Sequence, residues 1–286
     1  MKNIIKFTLA ATILTVVFTA TELRAKDSDM GLTFGLDYVS NYIDRGEYYN
    51  DNEGTGGFIF PYINYNVFNT GFSAGIRAEI SETWFGGSNE NRDEGFGIAN
   101  YNSIDINLNY TNGIENIFSF DVGFWYYRYQ TMKLFDYYTM EYWSFNISYF
   151  DIYLSIAAEA IIFTPTITVT YSYYTDKNHF RGFYDDGKNE DIYVQLGFSH
   201  NFELIDSTYL DISAIAGWRH LKAGTPKSDD ISDIDLSAGI STTSGILTFS
   251  TAFHYIIVPG KQYKYADNFV TDINKFFAQF GVACSI

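Results

Sequence analysis

After Gly71 every second residue is apolar: Phe72, Ala74, Ile76, Ala78 and Ile80 alternate with Ser73, Gly75, Arg77 and Glu79. A period of two belongs to a β-strand with one apolar and one polar face. A helix would mix Arg77 and Glu79 into the apolar stripe. The alternation returns at Leu32–Tyr38, Ile104–Tyr110, Phe118–Tyr126, Trp143–Tyr149, Ile167–Tyr173, Ile192–His200, Leu210–Trp218, Ser232–Ile240, Leu247–Ile257 and Phe276–Ile286. Gly57–Val67 is a less regular strand because Pro61 lies inside it, and Pro tolerates only edge-like or bulged places.

The connectors fall into two classes. Short turns are expected at Phe68–Thr70, Thr111–Gly113, near Glu203–Ser207 and at Thr242–Gly245; long polar connectors lie at 44–56, 83–100, 129–139, 176–190, 221–230 and 258–269. Short turns at one end and long loops at the other are the plan of an outer-membrane barrel. The stretch 141–175 is ambiguous, since the even set Phe150–Ala158 is out of phase with the odd set ending at Tyr149. A turn at Tyr149–Asp151 gives thirteen strands; a bulge there, with a turn near Ala160–Pro165, gives twelve. Even counts are the rule, and twelve also keeps the long connectors on one side. The expected fold is therefore all-β, a transmembrane antiparallel up-and-down barrel of twelve strands, with ten or fourteen as the neighbouring counts.

Composition agrees. Aromatics make up 19% of the 286 residues and charged residues 18%, which excludes disorder. A mean hydropathy of −0.10 excludes a bundle of membrane helices. Residues 1–25 read as a secretory signal peptide: Lys2 and Lys6, then an uncharged run from Phe7 to Ala20, too short to span a bilayer. Residues 26–286 are then the barrel domain. Losing Lys2, Lys6 and Arg24 with Glu22 removes two net positive charges and takes the formal −16 to −18. A chain so acidic, without a basic cluster, is not a nucleic-acid binder.

Tyr38, Tyr42, Tyr110, Tyr126, Tyr149, Tyr173 and Trp218 close the apolar runs, as in the aromatic girdles at membrane interfaces. On this reading the apolar faces meet outer-membrane lipid. The polar faces line the lumen with Asp37, Glu79, Asp105, Asp121, Asp211, Asp233 and Asp235 against Arg77 and Arg219. Fixed charge of one sign favours cations or neutral solutes.

Catalytic signals are thin, and no enzyme is expected. His254 and Ser250 share a polar face, but Ser is common on all of them; His200 and His220 fall on apolar faces and His179 in a connector. The loop acids Asp185, Asp186, Glu190 and Asp191, with Asp229, Asp230 and Asp233, lack the spacing of a calcium loop. Cys284 has neither a disulfide partner nor an activating neighbour. No metal and no cofactor is expected.

The stretch Asp37–Gly46, then Pro61–Tyr65 and Gly71–Gly75, resembles the TorF-type porin family through Ser40, Tyr42, Arg45, Gly46, Pro61, Gly71, Phe72, Ala74 and Gly75. Glu141 and the strands at Asp191–Asn201 and Tyr209–His220 are similar in layout. The resemblance implies a bacterial outer-membrane barrel of transport function. Arg45 is expected to anchor the rim by pairing with loop acids. The alternating strand up to Ile286 resembles the C-terminal signal read by the barrel-assembly machinery, except that it lacks a terminal aromatic residue. The expected function is a channel for passive diffusion of small hydrophilic solutes. The alternative is a barrel with a filled interior, serving a structural or adhesive role through its loops.

Overall fold

The computed structural model describes residues 31–40, 57–68, 70–81, 102–129, 148–175, 190–221, 229–259 and 273–286, with short strands at 43–44, 47–48, 98–99, 132–136 and 141–145. The signal segment and Tyr42, Arg45, Gly46 and His179 lie outside these residues.

Twelve strands close a barrel: β1 (Leu32–Val39), β2 (Phe58–Asn66), β3 (Phe72–Ser81), β4 (Asn102–Ile114), β5 (Phe118–Tyr129), β6 (Ser148–Ala157), β7 (Thr166–Tyr174), β8 (Glu190–Ile205), β9 (Thr208–Leu221), β10 (Asp229–Ser244), β11 (Leu247–Val258) and β12 (Ile273–Ser285). Each pairs antiparallel with its neighbours in sequence. β12 returns to β1 with Thr33 opposite Ser285 and Val39 opposite Gln279, so no edge remains. The start of β1 and the end of β12 meet at the short-turn end, where the Leu32 and Ile286 backbones exchange hydrogen bonds of 3.0 and 2.9 Å.

Alternation decides which way each side chain points. Ile76, Ile106, Leu108, Ile152, Leu154, Leu196, Leu236 and Phe253 are exposed on the outside, whereas Glu79, Ser103, Asp105, Asn107, Asp151, Ser172, Asp191 and Arg219 are buried inside. An apolar outer surface of this extent on a closed barrel is stable only against hydrocarbon.

Pro61 sits mid-strand, opposite Leu36 of β1. The irregular look of β2 has a simpler source: Phe58 and Phe60 turn inward, where they cluster with Val39 and Phe277, so both faces of this end are apolar.

Four expectations need correction. The turn placed at Thr242–Gly245 lies at Gly245–Ile246, because the ladder continues to Ser244, which pairs with Leu247. The turn placed at Thr111–Gly113 lies at Glu115–Ile117: β4 runs on to Ile114, which pairs with Phe118, and Asn116 takes the left-handed φ of 59° that closes the turn. The bulge at Tyr149–Asp151 is absent. β6 starts at Ser148 and keeps an unbroken register with β5 and β7, while Glu141–Phe145 pairs with Met132–Asp136 in a separate three-stranded sheet. Two unconnected strands, each with its own phase, produced the apparent phase jump. Tyr149 is not a girdle residue; it turns inward and stacks on Tyr127 at 4.4 Å.

The motif glycines have local causes. Gly71 adopts φ 81° in the β2–β3 turn, and a Cβ on Gly75 would lie 2.0 Å from Asn64 Oδ1. Neither position accepts a larger residue without rearrangement.

Candidate functional site

The inner wall carries the chemistry. Arg77 of β3 stands directly opposite Asp105 of β4. Its Nε and Nη2 donate to Asp105 Oδ2 at 3.0 and 2.9 Å, and Nη2 also donates to Glu79 Oε1 at 3.0 Å. Ser103 Oγ donates to Asp105 Oδ1 at 2.6 Å. The guanidinium carbon lies 5.3 Å from the Phe60 ring centroid and 5.2 Å from that of Trp125, within cation–π range of both. Asp105 and Glu79 are 0% and 1% exposed, so these charges are compensated inside protein rather than by water.

Arg219 of β9 donates through Nε to Asp191 Oδ2 of β8 at 2.6 Å, with both groups buried. Asp191 is therefore no loop acid. It belongs to β8, faces inward and is half of an ion pair.

Tyrosines lie over glycines along the wall. Tyr153 faces Gly123 across β6 and β5, where a Cβ would stand 2.4 Å from the ring; its hydroxyl donates to Asp121 Oδ2 at 2.6 Å, and Thr111 Oγ1 donates to Oδ1 at 3.1 Å. Tyr193 lies over Gly217 and donates to the Asp233 carboxylate, 3.0 Å from each oxygen. Tyr62 lies over Gly35, with Asp37 two residues along and against Gly281. Glycine opposite an aromatic ring leaves room for the ring to lie flat on the wall.

Two more acids complete the set. Asp235 receives His254 Nδ1 at 3.0 Å, and the imidazole stacks on Phe277 at 4.4 Å with planes 3° apart. Asp211 accepts from Asn201 Nδ2 at 2.5 Å and from Ser241 Oγ at 3.1 Å. His254, which shares a polar face with Ser250, is held by Asp235, and Ser250 stands opposite Ser241. His200 meets Phe202 edge to face, and His220 stacks on Trp218.

The nine residues picked from strand phase group as Arg77–Glu79–Asp105, Tyr153–Asp121, Tyr193–Asp233, His254–Asp235 and Arg219 with Asp191, with Asp211 and Asp37 apart. Phase reasoning missed Asp151, Asp191 and the inward rings of Trp125, Tyr127, Tyr149, Tyr153 and Tyr193. Asp151 alternates with Phe150 and Ile152, and Asp191 with Ile192, so the signal was there once each strand start was fixed. Ser232 turns inward against phase because a register shift between Gly217 and Trp218 inserts it as the extra residue of a bulge; its hydroxyl donates to Asp233.

No family model matches the chain, and no curated protein matches it in sequence. Among solved structures it is similar to the translocator domain of the autotransporter NalP from Neisseria meningitidis, with a TM-score of 0.52 and 11% identity over 98% of each chain. It is also similar to the β domain of the Bordetella autotransporter BrkA, with a TM-score of 0.50 and 11% identity over 91% of this chain and all of that one. A KdgM porin gives a TM-score of 0.48 at 10% identity, over 89% of this chain and 99% of that one. At these identities the likeness is one of fold, and with the apolar outer face it makes this chain a bacterial outer-membrane β-barrel.

Proposed function

We propose that the barrel is a porin-like channel for passive diffusion of small hydrophilic solutes, favouring cations and neutral molecules over anions. The observation that carries this is the charge of the inner wall. Asp37, Glu79, Asp105, Asp121, Asp151, Asp191, Asp211, Asp233 and Asp235 face inward, against Arg77, Arg219 and Lys275. Both arginines are already held by carboxylates. The net field along the wall is negative, and it repels anions. The resemblance to TorF-type porins at Ser40, Pro61 and Gly71–Gly75 points the same way, as does a C-terminal strand suited to the barrel-assembly machinery.

A second reading, a non-conducting structural barrel, has its own observation. Glu79, Asp105, Asp151, Ser172, Asp191 and Arg219 are each at most 2% exposed, so the long-connector half of the interior is closely packed. Purified barrel in a planar bilayer separates the two. Stepwise KCl conductance with a reversal potential favouring K⁺ supports the channel, and a folded but silent barrel supports the structural reading.

A further inference from the structure

The inner wall repeats one arrangement, an aromatic ring beside a carboxylate, and twice the protein fills it with a nitrogenous base of its own. Arg77 lies over Trp125 and Phe60 while bonded to Asp105 and Glu79. His254 lies flat on Phe277 while bonded to Asp235. A planar nitrogen group held between a ring face and a carboxylate is the geometry in which guanidinium and ammonium groups bind.

The third arrangement differs in one respect. Tyr153 packs its ring against Gly123, is partly exposed as a residue, and bonds Asp121 through its hydroxyl. Asp121 accepts only hydroxyls, from Tyr153 and Thr111, and among the described residues it makes no ion pair. Two hydroxyl hydrogen bonds orient this carboxylate and leave its charge uncompensated. It sits near the short-turn end, four residues past the β4–β5 turn, where a solute leaving or entering the lumen passes it.

We propose that the channel's solutes include small organic cations bearing guanidinium or ammonium groups, and that Tyr153 and Asp121 form a station for them. The ring face supplies the cation–π contact that Trp125 gives Arg77, and Asp121 supplies the charge that Asp105 gives it. This rests on the reading of the barrel as a channel.

The test uses the purified full barrel in a planar bilayer at low ionic strength, with free arginine, glucose or sodium glutamate added on one side. Arginine is expected to interrupt the K⁺ current at a concentration about tenfold lower than glucose, and glutamate to leave it unchanged. Asp121→Asn combined with Tyr153→Leu is expected to raise by about tenfold the arginine concentration that halves each barrel's own KCl current. Equal sensitivity of the unmodified barrel to arginine and glucose overturns the proposal in favour of neutral solutes. An arginine effect that survives both Asp121→Asn alone and the double change overturns the assignment to this station. A folded barrel silent in KCl overturns the channel reading itself, an outcome the KCl trace alone registers. The comparison of arginine with glucose needs no variant, so it decides even where a substitution impairs folding.

Discussion

Asp105 is fully enclosed and holds Arg77 through two nitrogens, whereas Asp121, on the next strand, holds two neutral hydroxyls. Replacing one partner of a buried ion pair strands the other and costs about 3 to 5 kcal/mol. Asp105→Asn should therefore lower stability by about that much, part of it offset because Glu79 still holds Arg77. Urea titration of the folded fraction by heat-modified gel mobility reads this; an unchanged midpoint contradicts the pairing. Asp121→Asn breaks no ion pair and should change stability by about 1 kcal/mol or less. Its effect should appear in ion selectivity, as a reduced K⁺ preference at low salt that fades as the Debye length shrinks towards ~3 Å at 1 M. Unchanged selectivity would remove Asp121 from the conducting surface. In sequence the two acids are indistinguishable: both are polar-face residues on clean alternating strands. What separates them is the cross-strand partner, Arg77 for one and Tyr153 for the other, and partners depend on register.

At the scale of the strand, glycine and tyrosine act as a unit across a ladder. Tyr153 can lie on the wall because Gly123 has no Cβ; one placed there would be 2.4 Å from the ring. Gly123→Ala should push the ring off, break the 2.6 Å bond to Asp121 and cost about 1 to 3 kcal/mol. Adding Tyr153→Ala should recover part of that loss, because the clash is then gone. Fully additive losses in the double-mutant cycle would mean the two residues do not interact. The strands themselves were legible because alternation needs only the neighbouring residues. Turns and starts were harder. Asn112-Gly113 has the composition of a tight hairpin, yet pairing continues through it, with Asn112 opposite Phe120, and the reversal falls at Asn116. Extending the ladder pairs Ile114 with Phe118 on the outer surface, which an earlier turn would forfeit. Asn116→Gly should accordingly be tolerated and Asn116→Val should cost about 1 to 2 kcal/mol in the same urea titration. The inward rings stayed hidden for another reason: an aromatic residue in a barrel strand suits lipid, girdle or lumen alike, and only the start of β6 decides that Tyr149 turns in.

For the molecule as a whole, the distribution of connectors sets the orientation in the membrane. The start of β1, the end of β12 and the turns at Glu115–Ile117, Asp206–Ser207 and Gly245–Ile246 share one end, and the strand ends that lead into the long connectors share the other. In outer-membrane barrels the short turns face the periplasm, so a membrane-impermeant maleimide on intact cells should reach the long connectors alone. The native Cys284 is 2% exposed and β12 holds it in the ladder opposite Phe34 and Leu247, so Cys284→Ser gives a silent background at little cost. On that background Ser88→Cys should label in intact cells, and Asn116→Cys only after the outer membrane is permeabilised. Labelling at Asn116→Cys in intact cells, with none at Ser88→Cys, would invert the barrel. The same comparison bears on the solute path. With the short turns inward, Asp121 and Tyr153 stand at the periplasmic mouth, and the packed half that holds Arg77, Asp105, Arg219 and Asp191 stands towards the cell exterior. Solutes would then meet the tightly paired charges first and the open carboxylate last. In an inverted barrel the order reverses: a solute entering from outside would meet Asp121 and Tyr153 first and the tightly paired charges last.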